Sequence, residues 1–263
     1  MATLSTALIT GASAGIGAEL ARVFAAHAHN LVLVARRESR LDALSRSLHD
    51  EHGVRCTVVA LDLTADGACQ KLYDQIAVHQ IDVDILVNNA GILRGGAFRR
   101  SERCDIESMI DLNIAVPTRL CRLFLDAMVE RGSGRILNIA SLGAFQPVPS
   151  LAVYSATKAY VLSFTEALAV ELTGKGVTAT VFCPGFTDTD MVRDAQGQTT
   201  VPEMLIMEPK RVARAAYAAC MRGSAVEVPG IVNTIASTGV QLMPRWLVRG
   251  LSGVVVRGGR RKH

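Results

Sequence analysis

Thr6-Ala7-Leu8-Ile9-Thr10-Gly11-Ala12-Ser13-Ala14-Gly15-Ile16-Gly17 is the stretch on which the fold of this chain turns. Its first five residues read as a short buried strand. Three glycines then fall within seven residues, and from Ala18 to Ala26 apolar positions recur at helical spacing. In the order strand, glycine turn, helix, such a turn carries chemistry; outside that order a plain loop is the alternative reading. Glycines allow a tight reversal and let backbone N–H groups approach an anion at the helix N-terminus, where the helix dipole favours negative charge. A pyrophosphate fits that description. The spacing is Gly-x-x-x-Gly-x-Gly and differs from the commoner Gly-x-Gly-x-x-Gly.

Working outward, short apolar runs alternate with longer helical periodicities. Strands are expected over 6–10, 31–35, 56–60, 84–87, 135–140, 177–182 and 225–228. Helices are expected over 16–27, 39–52, 66–79, about 102–130, 152–174 and 209–222. This alternation implies an α/β protein with a parallel sheet covered by helices on both faces. Right-handed crossovers bring the carboxyl ends of the strands to one edge, where ligands bind in such sheets. A chain of 263 residues with 49% hydrophobic content suffices for one large domain, expected over 1–230 with an extension over 231–263.

Composition excludes several classes. No run reaches the roughly 18 apolar residues of a membrane span. The first strand begins close to Met1 without a charged leader, so no secretory signal is expected. The six cysteines (56, 69, 104, 121, 183 and 220) form no Cys-x-x-Cys pair and no metal-ligand spacing. They read as reduced core thiols of a cytoplasmic protein, with no metal site.

A second constellation lies at Tyr154-Ser155-Ala156-Thr157-Lys158, with Ser141 upstream at the end of the strand Arg135-Ile136-Leu137-Asn138-Ile139-Ala140. On a helix the phenol and the ammonium project from one face about one turn apart. A lysine beside a tyrosine favours the phenolate, which brings a group of pKa ~10 toward usefulness near neutral pH. Alone, the pair would be two surface residues on a helix.

Together the motifs resemble the short-chain dehydrogenases/reductases. Thr10-Gly11-Ala12-Ser13-Ala14-Gly15-Ile16-Gly17, Asn88-Asn89-Ala90-Gly91, Asn113, Ser141, Tyr154, Lys158 and Pro184-Gly185 follow the order and spacing of that family over about residues 4 to 230. The resemblance implies a doubly wound Rossmann-type sheet and a catalytic tetrad of Asn113, Ser141, Tyr154 and Lys158. It also implies a homo-dimer or homo-tetramer, and a lid over 187–208 that closes on substrate.

In that fold the end of the second strand selects the cofactor. An acid there would accept from the ribose 2′-OH of NAD. Here Leu31-Val32-Leu33-Val34-Ala35 ends instead in Arg36-Arg37, which supplies positive charge for a 2′-phosphate and points to NADP(H). Arg36 is the preferred partner of the two, and Ser13 offers a hydroxyl. Asp62-Leu63 resembles the adenine-contacting pair, although Asp62 also suits the cap of the helix that follows.

The reaction implied is reversible hydride transfer between nicotinamide and a carbonyl or carbinol carbon. Tyr154 would give or take the proton, Ser141 would hold the oxygen, and Lys158 would lower the tyrosine pKa and bind the nicotinamide ribose. Asn113, by resemblance, would hold a water that relays protons to Lys158; the alternative is a mid-helix Asn satisfied by its own backbone. Pro184-Gly185-Phe186-Thr187 would shape the nicotinamide pocket, with Thr187 or Thr189 at the carboxamide. Asn88, Asn89, Ala90 and Gly91 would line the cofactor side. Around the reacting carbon the expected residues are Leu93, Leu142, Phe145, Val148, Val153, Phe186 and Met191, mostly apolar. They favour a hydrophobic ketone, aldehyde or secondary alcohol, including a 3-ketoacyl or steroid-like molecule, with Arg94 as the one candidate partner for a substrate carboxylate.

The last thirty or so residues carry apolar positions at roughly helical spacing (Ile231, Ile235, Leu242, Trp246, Leu247 and Leu251). Six basic residues lie from Arg245 onward with no acid among them, so the net charge of +4 comes from this tail. It suits either a peripheral contact with an anionic membrane or packing on the body with solvated arginines. Nucleic acid is not an expected partner. Two other activities remain open: an alcohol dehydrogenase working oxidatively, and an NADP(H)-sensing binding protein without turnover.

Overall fold

The computed structural model describes residues 4–189 and 206–230, together with positions 233, 234, 239, 243 and 244. Seven strands form one parallel sheet: β1 Thr6–Thr10, β2 Asn30–Ala35, β3 Cys56–Ala60, β4 Ile85–Asn88, β5 Gly134–Ile139, β6 Val177–Phe182 and β7 Val226–Glu227. Their order is β3-β2-β1-β4-β5-β6-β7. The order reverses at β1, which pairs with β2 on one side and β4 on the other. A crevice opens beyond the carboxyl ends of the strands at such a reversal.

Every strand residue of β2 and β4 is buried, as a sheet covered on both faces requires. Successive side chains serve opposite layers. Ile9, Leu33 and Val87 pack with one core beside Leu20 and Phe24, whereas Leu8, Val32 and Leu86 pack with the other beside Leu120 and Phe124. The first layer holds α1 (Gly15–Ala26), α2 (Glu38–His52) and α7 (Pro209–Arg222). On the second layer lie α3 (Ala68–Val78), α5 (Val116–Glu130) and α6 (Ala152–Glu171).

The stretch expected as one helix over about 102–130 is interrupted. α4 (Arg103–Ile110) leads into a π-helical turn, Asp111–Ala115, before α5 resumes the α-helix. Pro117 has no N–H and cannot close the i→i−4 bond to the carbonyl of Asn113. The widened turn at that point is the backbone's way past this missing donor.

The sequence-derived lid falls partly, Met191 wholly, and the apolar and basic positions of the tail almost entirely outside the described residues. No described helix is long and apolar enough to cross a membrane.

Candidate active site

A cleft of about 520 Å³ runs along the carboxyl edge of the sheet. One end is built by the glycine turn. A Cβ on Gly17 would stand 2.3 Å from the Gly11 carbonyl oxygen and 2.5 Å from Asn89 Nδ2, so only glycine fits. Gly11 itself has φ +69, and an added Cβ there would lie 2.9 Å from Ala90 Cα. The turn is thus pressed onto the end of β4, and Thr10 fixes the contact. Its Oγ1 donates to the Val87 carbonyl and accepts from the N–H groups of Asn89 and Ala90, both at 3.0 Å. Gly11, Ser13, Ala14, Gly15, Ile16 and Gly17 all line the cleft, as do Asn89, Ala90 and Gly91.

Asn88 departs from expectation. It is buried, and its Nδ2 donates to Asn138 Oδ1 at 2.8 Å. Asn138 Nδ2 donates in turn to Thr165 Oγ1 at 2.8 Å. As the last residue of β4, Asn88 turns its side chain to the α5/α6 layer, while the next residue, Asn89, donates to the Thr10 carbonyl at 2.9 Å. Asn88 therefore ties β4 to β5 and α6 instead of facing the cleft.

At the β2 end both arginines line the cleft, but the structure brings Arg37 rather than Arg36 to Ser13. Arg37 Nη2 donates to Ser13 Oγ at 3.1 Å, whereas Arg36 Nη1 lies 3.9 Å from Asp62 Oδ2. Asp62 caps no helix, because α3 starts at Ala68 behind Gly67. Its Oδ1 instead accepts from the N–H and hydroxyl of Thr64 at 3.0 and 2.7 Å. Burial pushes the Asp62 carboxyl up, but the two bonds from Thr64 and the charge of Arg36 outweigh it and hold the group below its ordinary range. Leu63 is buried beside it and lines the cleft.

Ser141, Tyr154 and Lys158 meet at the other end. Ser141 follows β5 and caps a short 3-10 turn, accepting from Gly143 N–H at 3.1 Å. Tyr154 and Lys158 stand one turn apart on α6, and the phenol shares a hydrogen bond with Ser141. Burial, only partly offset by that bond, pushes the phenol up to about 12. The expected lowering by lysine is not what this protein alone shows. Lys158 Nζ sits 5.8 Å from the centroid of the Tyr154 ring and donates to the Ile139 carbonyl at 2.9 Å. Burial draws its own pKa down to about 8.

Asn113 lies in the π-helical turn and is 1% exposed. Its amide is spent on other segments, not on its own helix. Oδ1 accepts from Ile92 N–H, and Nδ2 donates to the Ile92 carbonyl, both at 2.9 Å; Nδ2 also donates to Thr157 at 3.1 Å. Pro117, in a helical pattern, was the signal in the sequence for this turn.

Pro184, Gly185, Thr187 and Thr189 line the cleft. Thr187 is buried and donates to the Gly185 carbonyl at 3.2 Å, while the methyl of Thr189 lies over Gly15. The predicted substrate side is less well gathered. Phe145 packs on the small core of Ala140, Ala144, Val161 and Val181, and Phe186 is exposed. Leu142 packs beside Gly185 and is not itself among the residues that line the cleft. Arg94, Asp105 and Ser108 line the cleft instead.

The residues fit a dinucleotide bearing a 2′-phosphate: a glycine cradle for a pyrophosphate, the Arg37–Ser13 pair with Arg36 beside it, and Lys158 at the far end. No described cluster of His, Cys, Asp and Glu is arranged to hold a metal ion.

Residues 5–199 match the family model described as short chain dehydrogenase. The ketoacyl reductase HetN of Nostoc sp. is 35% identical over 247 residues, 92% of this chain and 85% of that protein. A short-chain dehydrogenase from Sphingobium yanoikuyae, solved in complex with NADPH, is 35% identical with a TM-score of 0.83, covering 95% of this chain and 96% of that one. The bulky-bulky ketone specific alcohol dehydrogenase from Comamonas testosteroni is 32% identical with a TM-score of 0.78, over 92% of this chain and 96% of its own.

Proposed function

The chain belongs to the short chain dehydrogenase family, and from that premise we propose that it is an NADP(H)-dependent reductase of hydrophobic ketones or aldehydes, 3-ketoacyl compounds among them. One observation carries the reading: the Ser141 hydroxyl, the Tyr154 phenol and the Lys158 ammonium share one end of a cleft whose other end holds Ser13, Arg36 and Arg37. The two relatives named for ketoacyl and bulky ketone substrates agree with it.

Bound NADPH supplies the hydride. The chain supplies the rest. Ser141 holds the carbonyl oxygen by a hydrogen bond that strengthens as charge develops there. Tyr154, protonated throughout the neutral range, gives its proton to that oxygen. Lys158 brings positive charge to the same end of the cleft and suits the hydroxyls of a ribose. Asn113 holds the Ile92 peptide, and so the wall beside Lys158, in place. Residues 1–230 would form this machine, with 231–263 as an appended extension. The reading carries with it a homo-oligomer, and for the basic tail either packing on the body or a peripheral contact with an anionic membrane surface; release from anionic vesicles by salt tests the second.

The test of the activity is NADPH absorbance followed with a panel of hydrophobic ketones, aldehydes and 3-ketoacyl thioesters. Tyr154→Phe is expected to lower turnover by roughly 10²- to 10⁴-fold while NADPH affinity is kept. Near-normal turnover by that variant would remove the proton-donor role.

A further inference from the structure

The charged groups of the cleft that serve neither cofactor nor proton transfer are Arg94 and Asp105. We infer that Arg94 is a specificity-determining residue that recruits substrates carrying an oxyanion, a carboxylate or a phosphate, in addition to the reacting carbonyl; this rests on the reductase reading above.

Gly91 to Ala97 form a strap beside the cleft, which Gly91, Ile92 and Arg94 line. At its start, a Cβ on Gly91 would lie 3.6 Å from Lys158 Nζ, which places that end of the strap beside the reacting groups. At its finish, Gly96 N–H donates to the Ser150 carbonyl at 2.8 Å. Ser150 has a left-handed backbone, φ 65, in the loop that leads into α6 and Tyr154. With Ile92 held by Asn113 and Gly96 by Ser150, the strap is fastened at both ends without Arg94.

The Arg94 guanidinium donates through Nε to Asp105 at 3.1 Å and through Nη1 to the Leu93 carbonyl at 3.3 Å. A guanidinium has five N–H donors in a rigid fork, so these two bonds orient it and leave others for a ligand. The ion pair is about half exposed, 53% and 40% for its two side chains, and adds little to stability. Holding the strap is therefore a poor account of an arginine at this position. Asp105 lies in the first turn of α4, where the helix dipole already favours a carboxylate, so it does not cancel the whole field of Arg94. Arg99 and Arg100 follow as exposed residues on a 3-10 turn, and no acid stands between Gly91 and Ser101. Among the described residues lining the cleft, the cations are Arg36, Arg37, Arg94 and Lys158. The first two face the cofactor end and Lys158 is assigned to the Ile139 carbonyl and the cofactor ribose, which leaves Arg94 for the substrate.

The experiment uses three matched substrates: a 3-ketoacyl-CoA, the corresponding free 3-keto acid, and its neutral ethyl ester. NADPH is kept saturating so that the Arg36–Arg37 end is filled. Arg94→Gln is expected to raise KM roughly tenfold for the anionic substrates, the size of one lost charge-assisted hydrogen bond, with kcat little changed. The ester should respond far less, and Arg94→Lys should recover part of the loss. KM of the parent protein for the anionic substrates should rise with salt, a trend that flattens in Arg94→Gln. The thioester and the keto acid separate a phosphate handle from a carboxylate one. An equal change across all three substrates, or none for either anion, overturns the assignment. If the parent protein reduces none of the three, the reductase reading fails. Calorimetric binding of coenzyme A and of the keto acid to the NADPH-saturated proteins then decides on Arg94 alone, and equal affinities in parent and variant overturn it.

Discussion

At the scale of single residues, burial sets the charge states of the reacting groups. The Tyr154 phenol, pushed up to about 12 by burial, keeps its proton through the neutral range. Lys158, drawn down to about 8 by the same burial, does not keep its charge so widely. Since kcat/KM reports groups of the free enzyme, its value for carbonyl reduction should fall as pH rises above about 8 and the lysine loses its proton. A profile that stayed level to pH 10 would take Lys158 out of the step. The same depression affects stability. A lysine whose folded pKa lies below its unfolded value costs stability in full below the folded pKa, and the cost fades as pH rises from about 8 toward 10.5. At neutral pH the cost is on the order of 3 kcal/mol. Lys158→Met, which keeps the length of the side chain, should therefore raise Tm while turnover is lost. A lower Tm measured by calorimetry at pH 7 would show that the bond to Ile139 outweighs the burial of the charge. Sequence spacing made the Tyr154–Lys158 pair legible, but a spacing carries no burial, so the direction in which the phenol shifts was not.

At the scale of elements, the sheet and its helices were legible because most strands are short, mainly apolar runs and the helices are periodic. Leu31 to Ala35 cannot read otherwise. What escaped were places where one residue sets direction. Asn88 and Asn89 are the same residue type side by side, and only the alternation of β4 sends the first inward and the second to the glycine turn. Phe145 and Phe186 were apolar and near the motif, yet one is packed on a core and the other exposed. Arg36 and Arg37 show the same limit. The turn from β2 into α2, which begins at Glu38, aims Arg37 back across the glycine turn to Ser13. Arg37→Ala should accordingly weaken NADPH binding by roughly tenfold, a charge-assisted pair lost, and leave NADH nearly untouched. Arg36→Ala should have the smaller effect, because Arg36 already leans toward Asp62. Fluorescence titration of both cofactors on both variants decides this. A parallel loss of NADPH and NADH affinity would mean that Arg37 supports the turn itself and not a phosphate.

At the scale of the whole molecule, α1 and α7 close the fold against each other. Tyr217 on α7 stacks on His27 at a centroid distance of 4.2 Å and meets Phe24 edge-on at 4.9 Å. Its hydroxyl reaches His29 Nε2 at 3.3 Å, and His29 Nδ1 bonds Ser5 Oγ at 2.6 Å. His29 therefore links the chain just before β1, the end of α1 and α7. Burial, with the nearby His27 and Arg135, draws its pKa below 6.5, and Asp84 offsets this only in part. In the unfolded chain His29 takes up a proton as pH falls through about 6.5, while in the folded protein it resists, so the unfolded state binds more protons in that window and stability falls. The steepest slope one such group can give is about 1.4 kcal/mol per pH unit. Denaturant unfolding between pH 7.5 and 5.5 should show ΔG decreasing toward acid, above the range where carboxylates titrate. His29→Gln keeps a polar group beside Ser5 but cannot take up the proton. It should be less stable than the parent at pH 7.5, and the two should converge toward pH 5.5. If both proteins lost stability with the same slope, the acid sensitivity would belong to other groups, and the closure of α1 on α7 would be indifferent to the charge of His29.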